Sequence, residues 1–307
     1  MTSIVVNLSD LELDPAATLD SGQVFRWRHL NESRTEWMGI VSGAQFKVTR
    51  KVATLVGSDR NSFDFDELIS RYFSAGDRLE SIFSSFPSDD PLLNSALSRF
   101  SGLRLITQDP WECLVSFVCS INCNIPSIKL KIENLSRKYG KRIDSSLDEK
   151  SYSFPTARAL SKAEKNDLLN CKLGFRWRYV KFIAQKVAAG DLDLEKIYSM
   201  PYKAGLSELI SKDSGKTFGV GPKVADCVLL YSFHKSEAFP LDVWIMKCVK
   251  KYYSTELNKL PEKLTLRNYL FIAESMRERF GINAGYAQLY LYEKIRRDSV
   301  TQSKARA

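Results

Sequence analysis

Lys223 and Asp242 are the two residues whose type and position could do chemistry in this sequence. Lys223 follows Gly219, Gly221 and Pro222, and apolar residues then recur with helical spacing. The pattern predicts a tight hairpin leading into a helix, whose free backbone N–H groups form a cradle for phosphate. The positive helix end disfavours a charged lysine, and a neutral amine is a usable nucleophile. Asp242, near another predicted helix start, could accept the lysine proton or face a developing positive charge.

These residues leave a second interpretation open. In it, the hairpin only grips a phosphate backbone, and Lys223 contacts phosphate without doing chemistry. From the hairpin alone, this non-catalytic interpretation is the more common case. The rest of the sequence must decide between the two.

The composition fits a globular protein that attracts polyanions. A chain of 307 residues is long enough for one large domain or two ordinary ones. Lys and Arg total 45 against 36 Asp and Glu, a formal net charge of +9. An excess of this size attracts nucleic acid, although an ordinary basic protein can carry the same excess.

The sequence offers few residues that could form a metal site or a disulfide. The six cysteines include no Cys-x-x-Cys pair, and the only histidines are His29 and His234. Structural zinc, iron–sulfur clusters and Ser–His catalysis are therefore not expected, and neither a metal nor a cofactor is predicted. No export signal or apolar stretch of about 20 residues is visible, so an intracellular protein without a membrane span is expected.

The patterning divides the chain into a strand-rich part and a helical part. Alternating residues predict strands at 23–28, 36–41, 44–49 and 51–56, arranged as an antiparallel meander. Helices are predicted near 64–73 and 90–100, and from 105 onward nearly all signals are helical. The prediction is an α+β protein with an antiparallel sheet domain over 1–104, a helical domain over 105–298 and a disordered tail over 299–307.

Six ordered segments make the sequence recognisable: DSGQVFRW at 20–27, CSINCNI at 119–125, LGFRWRYV at 173–180, GVGPKVADC at 219–227, PLDVW at 240–244 and AGYAQ at 284–288. Together they resemble the helix–hairpin–helix base-excision DNA glycosylases, and more narrowly the 8-oxoguanine DNA glycosylases of the eukaryotic type. The resemblance spans nearly the whole chain. It implies a monomer that acts on duplex DNA containing oxidised guanine, removing the base and cleaving the strand by β-elimination.

The resemblance also assigns a chemical role to each part of the site. Lys223 would attack the sugar C1′ and form a Schiff base, and Asp242 would steady the positive charge on the sugar. The Gly22 carbonyl would accept the N–H that 8-oxoguanine has at N7. Three further residues would bind the base, namely Gln288 on its Watson–Crick edge and Cys227 and Tyr292 on its faces.

The resemblance assigns the DNA contacts to two loops and the hairpin. Asn122 would fill the space that the extruded base leaves, Phe175 would wedge the stack, and Arg176 would recognise the orphaned cytosine. Gly219 and Gly221 would face the phosphate backbone. Taken singly, these residues have ordinary structural explanations, such as a turn glycine, a core aromatic or a solvated basic face.

Three positions depart from the family pattern. Ser127 stands where the family usually has a second arginine that recognises the opposite cytosine, so a weaker cytosine preference is expected. Trp244 replaces a histidine, which puts a neighbouring backbone contact in doubt. Tyr292 replaces a phenylalanine and should still stack on the base.

Two alternative functions remain open at this point. A glycosylase for other damaged purines, such as alkylated ones, can work with the aspartate alone, so Lys223 and Gly22 argue against it. A catalytically silent helix–hairpin–helix protein would need neither Lys223 nor Asp242. In a eukaryote the expected location is the nucleus, and in a prokaryote the cytoplasm or nucleoid.

Overall fold

The computed structural model describes residues 4–59, 64–145, 150–210, 219–255, 257 and 264–305. Within them, seven strands form an antiparallel sheet: β1 (Val5–Asn7), β2 (Trp27–His29), β3 (Trp37–Val41), β4 (Ala44–Val48), β5 (Val52–Ser58), β6 (Arg142–Ser145) and β7 (Ser151–Tyr152). The spatial order is β2-β3-β4-β5-β6-β7, and β1 also pairs with β5. The antiparallel meander predicted from the sequence is confirmed by β3, β4 and β5.

Trp27 is the centre of the sheet's core. Its indole is 2% exposed and lies against Gly39 on β3, where an added Cβ would come within 2.1 Å of the ring. Trp27 Nε1 donates a 2.7 Å hydrogen bond to the hydroxyl of Tyr72, the last residue of the helix Phe65–Tyr72. The large ring opposite a glycine therefore fixes the register of the β2–β3 pair, and its hydrogen bond fixes the position of the helix that carries Tyr72.

The described residues contain fifteen α-helices: α1 (Pro15–Leu19), α2 (Phe65–Tyr72), α3 (Leu79–Ser84), α4 (Pro91–Arg99), α5 (Pro110–Cys119), α6 (Ile125–Tyr139), α7 (Ala157–Ser161), α8 (Lys165–Asn170), α9 (Trp177–Ala189), α10 (Leu194–Ser199), α11 (Tyr202–Ile210), α12 (Pro222–Tyr231), α13 (Val243–Tyr252), α14 (Leu266–Phe280) and α15 (Ala284–Ala305). Many begin at a side-chain cap. The carboxylates of Asp90, Asp109 and Asp242 each accept a backbone N–H from the first turn of the helix that follows. These caps satisfy N–H groups that a helix start otherwise leaves free.

The larger of two hydrophobic cores lies among the helices and includes residues from both sides of position 104. Leu93 and Phe100 pack into it from the N-terminal side, while Ile106 packs into the core under the sheet. The domain division at 104/105 stays a prediction, but packing is continuous across it.

Three predicted features differ in the structure. The strand predicted at 23–28 begins only at Trp27, because Gln23 turns inward and donates its side-chain amide to the Arg104 carbonyl. The helical expectation from residue 105 holds apart from β6 and β7, which extend the sheet from the edge of β5. The tail predicted to be disordered is helical to Ala305, since no glycine or proline interrupts α15 after Gly285. Of the predicted hairpin, 217–218 lie outside the described residues.

Candidate active site

A cleft of about 1210 Å³ opens beside the hairpin and α12, bounded by the α5–α6 loop and by α15. Nine of the eleven predicted site residues line it: Gly22, Asn122, Gly219, Gly221, Lys223, Cys227, Asp242, Gln288 and Tyr292. The other two, Phe175 and Arg176, are not among its lining residues, although the Arg176 guanidinium contacts the carbonyls of the Asn122 loop. The structure therefore brings together segments that are more than 200 residues apart in the sequence.

Lys223 extends into this cleft from the first turn of α12. Its Nζ lies 3.3 Å from Ser120 Oγ and 5.1 Å from the centroid of the Phe117 ring. The face of an aromatic ring carries negative charge density and attracts a cation or a lone N–H. The ring and the hydroxyl thus hold the amine at the cleft wall, and the amine remains open to an incoming sugar.

Asp242 lines the same cleft and caps α13. Its Oδ1 accepts the N–H of Ile245 at 2.8 Å. Burial raises the pKa of Asp242, while the backbone N–H groups of Ile245 and Trp244 and the charge of Lys223 act in the opposite direction. A carboxylate in a poorly hydrated setting interacts strongly with nearby positive charge, so Asp242 can stabilise a cation that forms between it and Lys223.

Gly22 lies at the far wall in a conformation that favours glycine. Its φ is +86°, and an added Cβ would lie 3.2 Å from both Ile125 Cδ1 and Tyr292 Oη. Neither the backbone nor the neighbouring side chains leave room for a larger residue. A flat ligand that binds against Tyr292 would therefore contact the backbone of Gly22.

Gln288 and Cys227 line the cleft and are both buried. Gln288 is 3% exposed, donates to the Pro240 carbonyl at 3.1 Å and accepts from the Tyr231 hydroxyl at 3.4 Å. Cys227 lies one helical turn after Lys223, and burial raises its pKa to about 12. The thiol is therefore neutral and offers a polarisable contact surface.

The α5–α6 loop presents Asn122 to solvent. Asn122 is exposed and has a φ of +48°, a left-handed conformation that asparagine tolerates better than most residues. The Arg176 guanidinium supports the loop from below, donating to the Ile121 carbonyl at 2.8 Å and to the Asn122 carbonyl at 2.9 Å. The loop tip is thus held by a charged side chain on another element.

Arg176 is not part of a solvated basic face, the ordinary explanation for a residue with basic neighbours. It is 7% exposed because the α5–α6 loop covers its guanidinium. Its neighbour Phe175 is 50% exposed, and the Arg176 guanidinium lies 4.4 Å from the centroid of the Phe175 ring. Whether Arg176 recognises a base stays a prediction.

The two hairpin glycines have different structural roles. Gly219 has a φ of +92°, and an added Cβ would lie 2.3 Å from the Tyr179 ring. At Gly221 nothing lies within 4 Å of an added Cβ, and no side chain caps the start of α12 there. Gly219 is needed for packing, whereas Gly221 leaves the positive end of the helix accessible to an anion.

Sequence reasoning missed several residues of the cleft. Phe117 lies under Lys223 and stacks on Tyr231, with ring centroids 5.6 Å apart and an angle of 19° between the planes. Both residues have the spacing of ordinary core aromatics, so the sequence carries no signal for them. Ser120 stands in a polar junction between two predicted helices, and its proximity to Lys223 could have been suspected.

Within the described residues, no group of three or more His, Cys, Asp or Glu side chains is placed to hold a metal ion. No helix in that part of the chain is long and apolar enough to cross a membrane.

Two family models together match most of the chain. Residues 5–114 match the 8-oxoguanine DNA glycosylase N-terminal domain, and residues 115–270 match the HhH-GPD superfamily of base excision DNA repair proteins. The chain is 30% identical to the N-glycosylase/DNA lyase of Saccharomyces cerevisiae over 95% of this chain and 81% of that protein. It is 31% identical to a probable N-glycosylase/DNA lyase of Methanothermobacter thermautotrophicus over 69% of each chain.

The fold agrees with these matches. A structure of the Clostridium acetobutylicum 8-oxoguanine glycosylase/lyase, bound to duplex DNA with cytosine opposite 8-oxoguanine, superposes with a TM-score of 0.81. The two chains are 31% identical, and the match covers 96% of this chain and 98% of that one. The N-terminal sheet and the helical part of this chain therefore have the same fold as those of that enzyme. The chain belongs to the 8-oxoguanine DNA glycosylases of the HhH-GPD base-excision repair superfamily.

Proposed function

We propose that this protein is a bifunctional enzyme that removes 8-oxoguanine from duplex DNA and then cleaves the strand at the abasic site. The observation that carries the proposal is the presence of Lys223 and Asp242 in one cleft with Gly22 and Gln288. A non-catalytic hairpin needs none of these four residues. The names of the relatives, which pair a glycosylase with a lyase, support the same activity.

Lys223 and Asp242 carry the bond-breaking step. The lone pair of Lys223 Nζ attacks C1′ as the bond from C1′ to the base breaks, and the base leaves with the electron pair and takes up a proton. Positive charge develops on the sugar, and the Asp242 carboxylate stabilises it. The amine adduct opens to a Schiff base, from which loss of a C2′ proton expels the 3′ phosphate and cuts the strand.

Gly22 and Gln288 determine which base is bound. The Gly22 carbonyl accepts the N7 hydrogen of 8-oxoguanine, while guanine presents a lone pair there and is repelled. Gln288 binds the Watson–Crick edge, and Cys227 and Tyr292 enclose the ring. The rigid partners of Gln288, and the close contact of Tyr292 with Gly22, support a pocket formed before the base enters.

The DNA contacts surround the pocket mouth. A base in a duplex must leave the stack before Lys223 can reach its sugar. Asn122, at an exposed loop tip, fills the position that the extruded base leaves. Phe175 inserts as a wedge into the base stack, and Arg176 faces the orphaned cytosine. Gly219, Gly221 and the start of α12 hold a phosphate. The protein would act wherever the DNA is, in the nucleus of a eukaryote or the nucleoid of a prokaryote.

Borohydride trapping tests the nucleophile. The protein is incubated with a labelled duplex containing 8-oxoguanine and reduced with borohydride, and covalent complexes are counted on a denaturing gel. The expected result is a complex in the unmodified protein and none in Lys223→Gln. A complex of undiminished yield in Lys223→Gln would overturn the assignment.

Lys250→Gln is the matched control, because Lys250 also lines the cleft but belongs to α13 rather than to the hairpin or α12. It should trap as well as the unmodified protein. Duplexes with guanine or an alkylated purine in place of 8-oxoguanine complete the series. Faster release of the alkylated purine than of 8-oxoguanine would favour a glycosylase for other lesions.

A further inference from the structure

The α5–α6 loop and the start of α6 share a side-chain cluster that the excision chemistry does not use, formed by Cys123, Ser127 and Lys131. Lys131 Nζ lies 3.2 Å from Cys123 Sγ, 2.6 Å from Ser127 Oγ and 3.1 Å from the Ser127 carbonyl. Cys123 directly follows Asn122, and the other two residues lie on the first turns of α6. The three donors of the ammonium group thus each have an acceptor.

The Lys131 ammonium has no carboxylate partner among the described residues. Lys131 is 4% exposed, and no Asp or Glu of the described chain lies within ion-pair distance of it. A buried cation is strongly destabilising unless a negative group compensates it. Of its three acceptors, only the Cys123 thiol can ionise near neutral pH. The charge of Lys131 is therefore compensated when Cys123 is a thiolate.

Cys123 differs from the other cysteines, all of which lie in the described residues. The other five are buried, whereas Cys123 is partly exposed and lines the cleft. Burial raises the pKa of Cys119 and that of Cys227 to about 12. At Cys123 burial also tends to raise the pKa, but hydrogen bonds from Ser127 and Lys131 outweigh this effect and lower the pKa overall. Reactivity follows thiolate content and access, and both favour Cys123.

We propose that Cys123 is a nucleophilic modification site, activated by Lys131, which reacts with hydroperoxides and soft electrophiles before any other cysteine of the chain. With hydrogen peroxide, the thiolate attacks one oxygen, a sulfur–oxygen bond forms and the O–O bond breaks. The leaving hydroxide takes a proton from solvent. Sulfur is oxidised by two electrons to a sulfenic acid, and peroxide is reduced to water.

Oxidation should weaken the engagement of damaged DNA, a consequence that rests on the proposed role of Asn122. The added oxygen does not fit into the 3.2 Å between Cys123 Sγ and Lys131 Nζ, so oxidation separates Lys131 from the sulfur inside a buried site. Cys123 is covalently next to Asn122, whose backbone is already in the left-handed region. The loop must rearrange to rehydrate Lys131, and the Asn122 tip moves with it. A peroxide formed alongside oxidised guanine would then reduce the repair of that guanine.

Chemical labelling of the full-length protein tests the site itself. Dilute hydrogen peroxide is added with dimedone, which traps sulfenic acids, and labelled peptides are quantified by mass spectrometry. Cys123 should label first, and its rate should fall about tenfold or more in Lys131→Met, as expected when the thiolate fraction falls. Lys138→Met, an exposed position on the same helix, should label like the unmodified protein. Equal labelling in Lys131→Met and the unmodified protein would overturn the proposal.

A measurement on the unmodified protein does not depend on how well Lys131→Met folds. Alkylation of Cys123 by iodoacetamide at pH 7 should be about tenfold faster than that of glutathione, because a larger fraction is thiolate. A slower rate than glutathione overturns the proposal.

Single-turnover excision separates this inference from the proposed function. Each protein is compared with its own reduced form. Peroxide should lower excision by the unmodified protein and leave Cys123→Ala unaffected. Labelled Cys123 with unchanged excision would overturn the effect on the loop. Failure of the reduced protein to excise 8-oxoguanine would overturn the proposed function, while the labelling result would stand.

Discussion

The Tyr269 hydroxyl donates a 2.6 Å hydrogen bond to Asp226 Oδ2 and accepts the backbone N–H of Leu241 at 3.1 Å. Asp226 is fully buried and lies on α12, three residues after Lys223. Leu241 immediately precedes Asp242. One tyrosine thus ties the helix that carries the proposed nucleophile to the segment that carries the proposed carboxylate, and it contributes to fixing the distance between them.

Tyr269→Phe should destabilise the fold and slow excision together. Loss of the hydroxyl leaves the Leu241 N–H without its acceptor and removes one donor from Asp226, which costs about 1–3 kcal/mol of unfolding free energy. Excision should fall because Asp242 is less firmly placed. Urea unfolding and single-turnover excision measure the two effects. Tyr252→Phe, at a 42% exposed tyrosine, is the control and should change neither. Unchanged excision in Tyr269→Phe would contradict the positioning role.

Asp226 should make the unfolding free energy depend on pH. Burial raises its pKa to about 6 from 3.8, against the effect of hydrogen bonds from Tyr269 and Tyr202. Because the folded-state pKa is the higher one, the folded protein binds more protons than the unfolded chain between these values. The contribution of Asp226 to stability therefore decreases as the pH rises from about 4 to about 6 and is constant above that.

Asp226→Asn isolates this contribution, because an amide does not titrate. The difference in unfolding free energy between the unmodified protein and Asp226→Asn should shift in favour of the unmodified protein as the pH is lowered from 7.5 to 4.5. Urea unfolding at intervals across that range measures it. Parallel curves for the two proteins would show that Asp226 does not titrate in this window.

The sequence predicted the helices near 64–73 and 90–100 and nine of the residues that line the cleft, because these depend on local signals or on ordered motifs. Asp90, Asp109 and Asp242 mark helix starts through cap chemistry that acts within one turn. The burial of Arg176 could not be predicted, since it depends on where a loop 55 positions away lies. Likewise, β6 and β7 contain few residues, and they are strands only because β6 pairs with the edge of β5 and β7 pairs with β6.

Ser127 should give the protein a weaker preference for cytosine opposite the lesion. Its hydroxyl lies 2.6 Å from Lys131 Nζ, so it faces its own helix, and it is too short for two-point contact with a base. A bidentate arginine contact contributes about 1–3 kcal/mol of discrimination, and that amount should be missing here. Excision rates opposite all four bases measure it.

Ser127→Arg should restore part of that preference. Leu130→Arg, at an exposed position on the same helix, adds the same charge without reaching the same place and serves as the control. A strong cytosine preference in the unmodified protein would show that other residues supply the recognition.

Gly22→Ala should reduce the discrimination between 8-oxoguanine and guanine, an effect separate from the loss of stability that backbone strain causes. The methyl group would press on Ile125 and Tyr292 at 3.2 Å, so the Gly22 carbonyl must turn away from the base it is proposed to recognise. Gly190 has a similar φ of +80° but open space around it, at the end of α9. Gly190→Ala therefore carries the same backbone strain, roughly 1–2 kcal/mol, without touching the cleft. The ratio of single-turnover rates on the two bases should fall in Gly22→Ala and stay unchanged in Gly190→Ala. An unchanged ratio in both variants would remove Gly22 from base recognition.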